Sequence, residues 1–196
     1  NVGYIVPNGT ARTVQERLRD QYSVKDFQAT GDGTSDDWAA LQAALDTNTI
    51  CLMPPGKYRI TQPLLFDPIR NRNSGFIGTV VASIYPGTTQ AGGPTWDGDD
   101  ECVIFYDGPA GATTAVVAAS PEAVGTEPTS TFENTVYGLH LENITLDGNN
   151  KAQYGFYGAR VQQIHLDSCV ARRCEGDGWY INGTYSGRID NIVGRD

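Results

Sequence analysis

The stretch that most constrains this chain is residues 23–46, SVKDFQATGDGTSDDWAALQAALD. Val24 and Phe27 predict a short strand that ends at turn residues. Gly31 and Gly33 supply the positive φ or close approach of a tight turn. Thr34 or Ser35 then caps a helix, with Asp36 and Asp37 in its first turn, where the helix dipole favours negative charge. Trp38, Leu41, Ala44 and Leu45 share one helical face, so this helix must lie on an apolar surface. The continuation ICLMPPGKYRIT reads as strand, Pro-Pro-Gly turn and strand.

A second constraint begins at Val136, where the chain repeats itself. Leu141-Glu-Asn143-Ile144 returns as Leu166-Asp-Ser168-Cys169 and as Ile189-Asp-Asn191-Ile192, offset by 25 and then 23 residues. Gly155-Phe-Tyr returns as Gly178-Trp-Tyr, again 23 apart. Such offsets match one coil of a solenoid. Leu141, Leu166 and Ile189 then stack inward, as do Leu139, Ile164 and Gly187. Alternation puts His140, His165 and Arg188 outside, beside a column of Glu142, Asp167 and Asp190.

Together, the VKDF-x-A-x-GDG-x-x-DD-x-A-A-x-Q-x-AL pattern and the strand–PPG–strand continuation resemble the opening of the pectate-lyase-like right-handed β-helix superfamily. The likeness is greatest to phage tailspikes and capsule depolymerases. Gln28 stands where Gly is common in that pattern, and Trp38 where Thr is common. The resemblance implies a mainly β chain, a right-handed parallel β-helix whose cap helix plugs one end. It also implies an internal ladder at Asn143, Ser168 and Asn191, a homotrimer, and attachment through an upstream region to a virion tail or baseplate. The implied activity is binding, and depolymerisation by hydrolysis or lysis, of a bacterial capsule or O-antigen polysaccharide. A non-catalytic virion adapter and a secreted pectinase-like enzyme are the alternatives. The expected organisation is a linker and connector helix over residues 1–22, cap and first strands with inserted loops over 23–135, and regular rungs over 136–196.

Composition narrows the partners. A net charge of −9 argues against nucleic acid and against anionic membrane held by bulk electrostatics. No run of 18 apolar residues suggests a membrane span. Cysteines at 51, 102, 169 and 174 form no C-x-x-C and have no histidine at ligand spacing, so free buried thiols are expected, as in a protein folded in the host cytoplasm. Residues 1–10 read as an extended linker. Residues 11–21 predict a short helix whose Val14/Leu18 stripe suits either a three-fold bundle or packing on the cap. Residues 75–84 predict a strand, and residues 86–101 and 120–130 read as loops.

The chemistry has fewer candidates. His140 and His165 stand about 4.8 Å apart on adjacent strands; as a metal pair they need neighbouring acids, and a solvated ladder is the preferred reading. No metal and no cofactor is expected. Glycoside hydrolysis needs two carboxyls roughly 5–10 Å apart, and paired acids are available in Glu142/Asp167/Asp190 and in Glu175/Asp177, the latter in a turn near Trp179 and Tyr180, whose rings could stack on sugars. Asp32, Asp36 and Asp37 are accounted for by turn and cap, and Cys169 by the core. The last rung runs to Asp196 without a terminal cap. The expectation is an N-terminal part of a longer protein, inactive alone, with its main catalytic residues further on.

Overall fold

The computed structural model describes residues 3–4, 12–13, 20–66, 72–80, 101–120, 135–183 and 185–195. Three sheets, parallel at every pairing, run along one axis, and the chain visits them in turn. Face one carries Ile50–Met53, Gly75–Gly78, His140–Glu142, Val161–Asp167 and Tyr185–Asp190, with Val136–Tyr137 alongside. Face two carries Asp32–Asp36, Gly56–Ile60, Cys102–Tyr106, Thr145–Asp147, Val170–Arg172 and Val193–Arg195. Leu64–Phe66, Gly111–Ala119, Ala152–Ala159 and Trp179–Asn182 make face three. This is a parallel β-helix, right-handed as parallel crossovers are in general.

Register shows why the repeat works. Cys51, Phe76, Leu141, Leu166 and Ile189 pair in succession across face one. The first four are fully buried, and Ile189, on the last strand, is 39% exposed. Inward stacking of Leu141, Leu166 and Ile189 is therefore as the sequence offsets predict. Each fully buried Leu or Phe contributes about 1.5–3 kcal/mol, so these columns hold the rungs together. Cys169 sits in the same core, fully buried.

The cap differs from expectation in two details. Val24–Phe27 is a 3-10 turn and not a strand. Ser23 and Asp26 cap it reciprocally: the Ser23 amide donates to Asp26 at 2.8 Å and the Lys25 amide to Ser23 Oγ at 3.3 Å. Only Ser23 bridges to a strand, at Leu52. Gly31 and Gly33 do take positive φ, 64° and 76°. Asp32 then accepts the Thr34 and Ser35 amides at 2.8 and 2.7 Å, and Asp32–Asp36 joins face two. The helix consequently begins only at Trp38, with Asp37 and not Thr34 or Ser35 at its N-cap. Leu41, Ala44 and Leu45 are buried on the end of the solenoid, and Trp38 Nε1 donates to the Pro63 carbonyl at 2.9 Å.

Before the cap, Arg12–Thr13 pairs antiparallel with Gly3–Tyr4. The helix predicted from residue 11 therefore does not start there, and the linker holds a strand. Val14 and Leu18 lie outside the described residues, as do most of both expected loops. The face-one strand predicted over 75–84 ends at Gly78. Asn143, Ser168 and Asn191 form no internal ladder. All three take left-handed φ, 56°, 52° and 50°, and turn the corner between faces one and two. Asn143 Nδ2 instead donates to the Gly78 carbonyl at 3.4 Å, and Asn191 Nδ2 to Asp167 at 3.1 Å. Asn tolerates that backbone through its short polar side chain, and Ser168 takes it at the middle corner. Among the described residues, no helix is long and apolar enough to cross a membrane.

Candidate functional site

Two polar columns stand on the outside of face one. His140, His165 and Arg188 are in register, and beside them Glu142, Asp167 and Asp190. The two imidazoles stack with centroids 4.1 Å apart and planes 19° apart. His140 Nε2 lies 3.1 Å from a Glu142 oxygen, with the His140 side chain 17% exposed. Nε2 of His165 is buried and has no hydrogen-bond partner among the described residues. The solvated ladder expected from sequence is thus a packed one. Stacking across adjacent rungs takes the ring faces out of water, which alternation alone does not reveal.

Burial pushes the His140 pKa down, against the opposing pull of the Glu142 hydrogen bond, so its imidazole is neutral at neutral pH. Asp167 is held below the usual carboxylate range by hydrogen bonds from Asn191 and Ser168, with Arg188 adding to the effect. Arg188 pairs with Asp190 and reaches Asp167 at 3.8 Å. The arrangement sets the neutral imidazole of His140 one rung from the ionised carboxylate of Asp167. His140, Glu142 and His165 each offer one ligand atom, all within 4.8 Å of one another.

The other sequence candidates sit around the corner from face two to face three. Glu175 and Asp177 are exposed there; the Glu175 amide donates to the Ala152 carbonyl at 2.9 Å and the Asp177 carbonyl accepts from Gly155 at 3.4 Å. Trp179 and Tyr180 separate onto opposite sides of their strand. Trp179 turns inward, 5.9 Å from the Phe156 ring, and Nε1 donates to the Val193 carbonyl at 3.0 Å. Tyr180 turns outward and stacks flat on Tyr157, centroids 4.8 Å apart, with Tyr154 at 5.7 Å. Tyr157 is buried in this stack, whereas Tyr154 and Tyr180 are half-buried. Sequence reading missed Tyr154 and Tyr157 as partners of Tyr180. The signal for Tyr157 was present in the repeated Gly-aromatic-Tyr triplet, which sets Tyr157 and Tyr180 in register.

Three parallel faces, a helical plug at one end and polar columns on the outer flank define a pectate-lyase-like β-helix protein. Residues 21–170 match the family described as rhamnogalacturonase A/epimerase, pectate lyase-like, and the chain belongs to it. Mannuronan C5-epimerase AlgE6 of Azotobacter vinelandii is 52% identical over 46 residues, covering 20% of this chain and 5% of the relative. Among solved structures, ORF18 of Geobacillus virus E2 superposes with a TM-score of 0.58 at 19% identity, covering 86% of this chain and 32% of that one. The pre-mature gene product 12 of bacteriophage phi29 gives a TM-score of 0.56 at 18% identity, over 91% and 22% of the respective chains. The A-module of A. vinelandii mannuronan C-5 epimerase AlgE4 gives 0.52 at 18%, over 89% and 50%. The chain therefore spans half or less of each of these relatives.

Proposed function

We propose that this chain is the cap and first rungs of a homotrimeric phage tailspike that attaches to, and in the whole protein depolymerises, a bacterial surface polysaccharide. The flank of the solenoid carries the reading. Rungs about 4.8 Å apart repeat polar side chains along face one and present the half-buried rings of Tyr154 and Tyr180 on face three. A repeating surface suits a repeating polymer, with aromatic faces for sugar C–H groups and polar groups for hydroxyls. Family membership and the likeness to two phage proteins and a mannuronan epimerase module support the same class. Within the chain, Glu175 and Asp177 remain the acid pair to test first, as exposed carboxylates next to the Tyr180 stack.

The test is affinity electrophoresis of the 196-residue chain against purified capsules and O-antigens, with new reducing ends and unsaturated uronates counted for the chain and for the whole protein. Binding to at least one polymer, with cleavage by the whole protein, is expected. Binding without cleavage across the panel leaves an adhesin, and no binding by either sample overturns the proposal. Sedimentation reads the trimer separately.

A further inference from the structure

We infer that the imidazoles of His140 and His165, with the carboxylate of Glu142, bind one divalent transition metal ion of the zinc class on the outside of face one. The site does not depend on which polysaccharide the flank contacts. Its three ligand atoms lie within 4.8 Å of one another, and the His140–Glu142 pair is already at 3.1 Å. Nitrogen and oxygen ligands about 2.1 Å from a tetrahedral ion stand roughly 3.4 Å apart. Closing the site therefore requires a movement on the order of 1 Å, available from the broad ring torsion of histidine. The rings must also splay from their 19° stack so that both lone pairs meet one point.

Two features favour a cation here. The buried Nε2 of His165 lacks a partner among the described residues, and an unsatisfied buried polar atom is unfavourable unless something binds it. Glu142, Asp167 and Asp190 outnumber Arg188, which leaves an excess of acidic side chains beside the two rings.

The donor set decides the class of ion. Two imidazoles and a carboxylate suit Zn²⁺, Co²⁺ or Ni²⁺ better than Mg²⁺ or Ca²⁺, which take oxygen ligands. Asp167 stands in register with Glu142 but is not a fourth ligand: Asn191, Ser168 and Arg188 already engage its carboxylate. The fourth position is thus left to water, on the side where Glu142 is 34% exposed.

The test titrates the 196-residue chain, freed of metal by a chelator, with Co²⁺ followed by visible absorption and with Zn²⁺ followed by calorimetry. One ion per chain is expected, with a tetrahedral ligand-field band that Zn²⁺ abolishes. His165→Asn should weaken binding by about 100-fold or more and Glu142→Gln by about tenfold, since even ligand-supporting residues change affinity by 10–100-fold. Asp167→Asn, which removes a nearby charge but no ligand, should weaken binding by less than Glu142→Gln does. Affinity should fall as pH drops through the histidine range. Circular dichroism checks each variant's fold, and the wild-type spectrum stands without them. No cobalt band and no zinc heat in the wild-type chain overturns the inference. So does equal affinity in folded His165→Asn, or a band that survives loss of both histidines.

Discussion

The wholly buried carboxylate of Asp147 accepts a 2.9 Å hydrogen bond from Nε of Arg172, its neighbour in register on the next rung of face two. Arg173 approaches the same carboxylate, and Arg172 also reaches Glu101 at 3.7 Å. Removing one member of a buried pair leaves an uncompensated charge, which costs about 3–5 kcal/mol. Asp147→Ala should lower the unfolding free energy obtained from urea denaturation by an amount in that range. An unchanged midpoint would show that water replaces the carboxylate without loss.

Asp37 plays a comparable part in the cap. It is 2% exposed, and its carboxylate accepts the Thr30 and Gly31 amides at 2.6 and 2.9 Å. Each hydrogen bond to a charged group is worth about 1.5–3 kcal/mol. Asp37→Ala should therefore destabilise the chain by about 3 kcal/mol, whereas Asp36→Ala, at an exposed position, should cost less than half as much. Equal losses at the two positions would mean that the helix dipole, and not the turn, is what the acids serve.

Acid sensitivity has a direction. Asp32 is held below its ordinary value of 3.8 by the Ser35 and Thr34 amides, Asp107 by hydrogen bonds from Lys151 and Arg59, and Asp167 by those from Asn191 and Ser168. Each folded pKa lies below the unfolded one, so each contribution is fully present above the unfolded value and is lost as pH falls through the folded one. The urea midpoint should fall slightly as pH drops through about 6.5, where His140 takes its proton more readily in the unfolded chain, and decline further below about pH 4, the carboxylate range. Asp107→Asn should flatten part of that decline. A midpoint that rises on acidification would contradict all three assignments.

The thiols make a kinetic prediction. Cys51, Cys102 and Cys169 are buried and Cys174 is half-buried, and all four are thiols. Burial pushes the Cys169 thiol up to about 12, and raises Cys51 and Cys102 as well. Because the thiolate is the reactive form, a disulfide reagent should label Cys174 first in the native chain, and all four only in denaturant. Rapid native labelling of Cys169 would place it outside the core.

How much was legible follows from regularity. Residues 140–190 declare their register because short corners separate their strands, so the offsets stay at 25 and 23. Cys51 and Phe76 belong to the same inward column and are also 25 apart. The sequence does not show that rung because the offset of 65 residues from Phe76 to Leu141 breaks the period. Alternation tells inside from outside but not depth, so it placed His140 and His165 correctly on the outer side and missed their burial. The cap shows a different limit. An aspartate before a helix looks the same in sequence whether it caps the helix or, as Asp37 does, reaches back to a turn seven residues earlier.

Trp179 and Tyr180 provide the sharpest separation of packing from recognition. Adjacent residues on a strand face opposite ways, and here the tryptophan enters the core while the tyrosine joins the outer stack. Trp179 contacts Phe156 and donates to the Val193 carbonyl, which ties face three to the last strand of face two. Its replacement by alanine removes a large, partly buried ring, and such changes cost about 3 kcal/mol at least when burial is complete. Trp179→Ala should therefore lower thermal stability by about 2 kcal/mol, yet leave polysaccharide affinity of the folded fraction unchanged. Tyr180→Ala should do the reverse: a small stability loss, with stacking on Tyr157 removed, and affinity reduced by about tenfold, the equivalent of one aromatic contact. Paired melting curves and affinity electrophoresis of both variants check this. Should Trp179→Ala abolish binding in a chain that still melts cooperatively, the inner ring shapes the binding surface. Should Tyr180→Ala bind as wild type does, the polymer lies elsewhere on the solenoid.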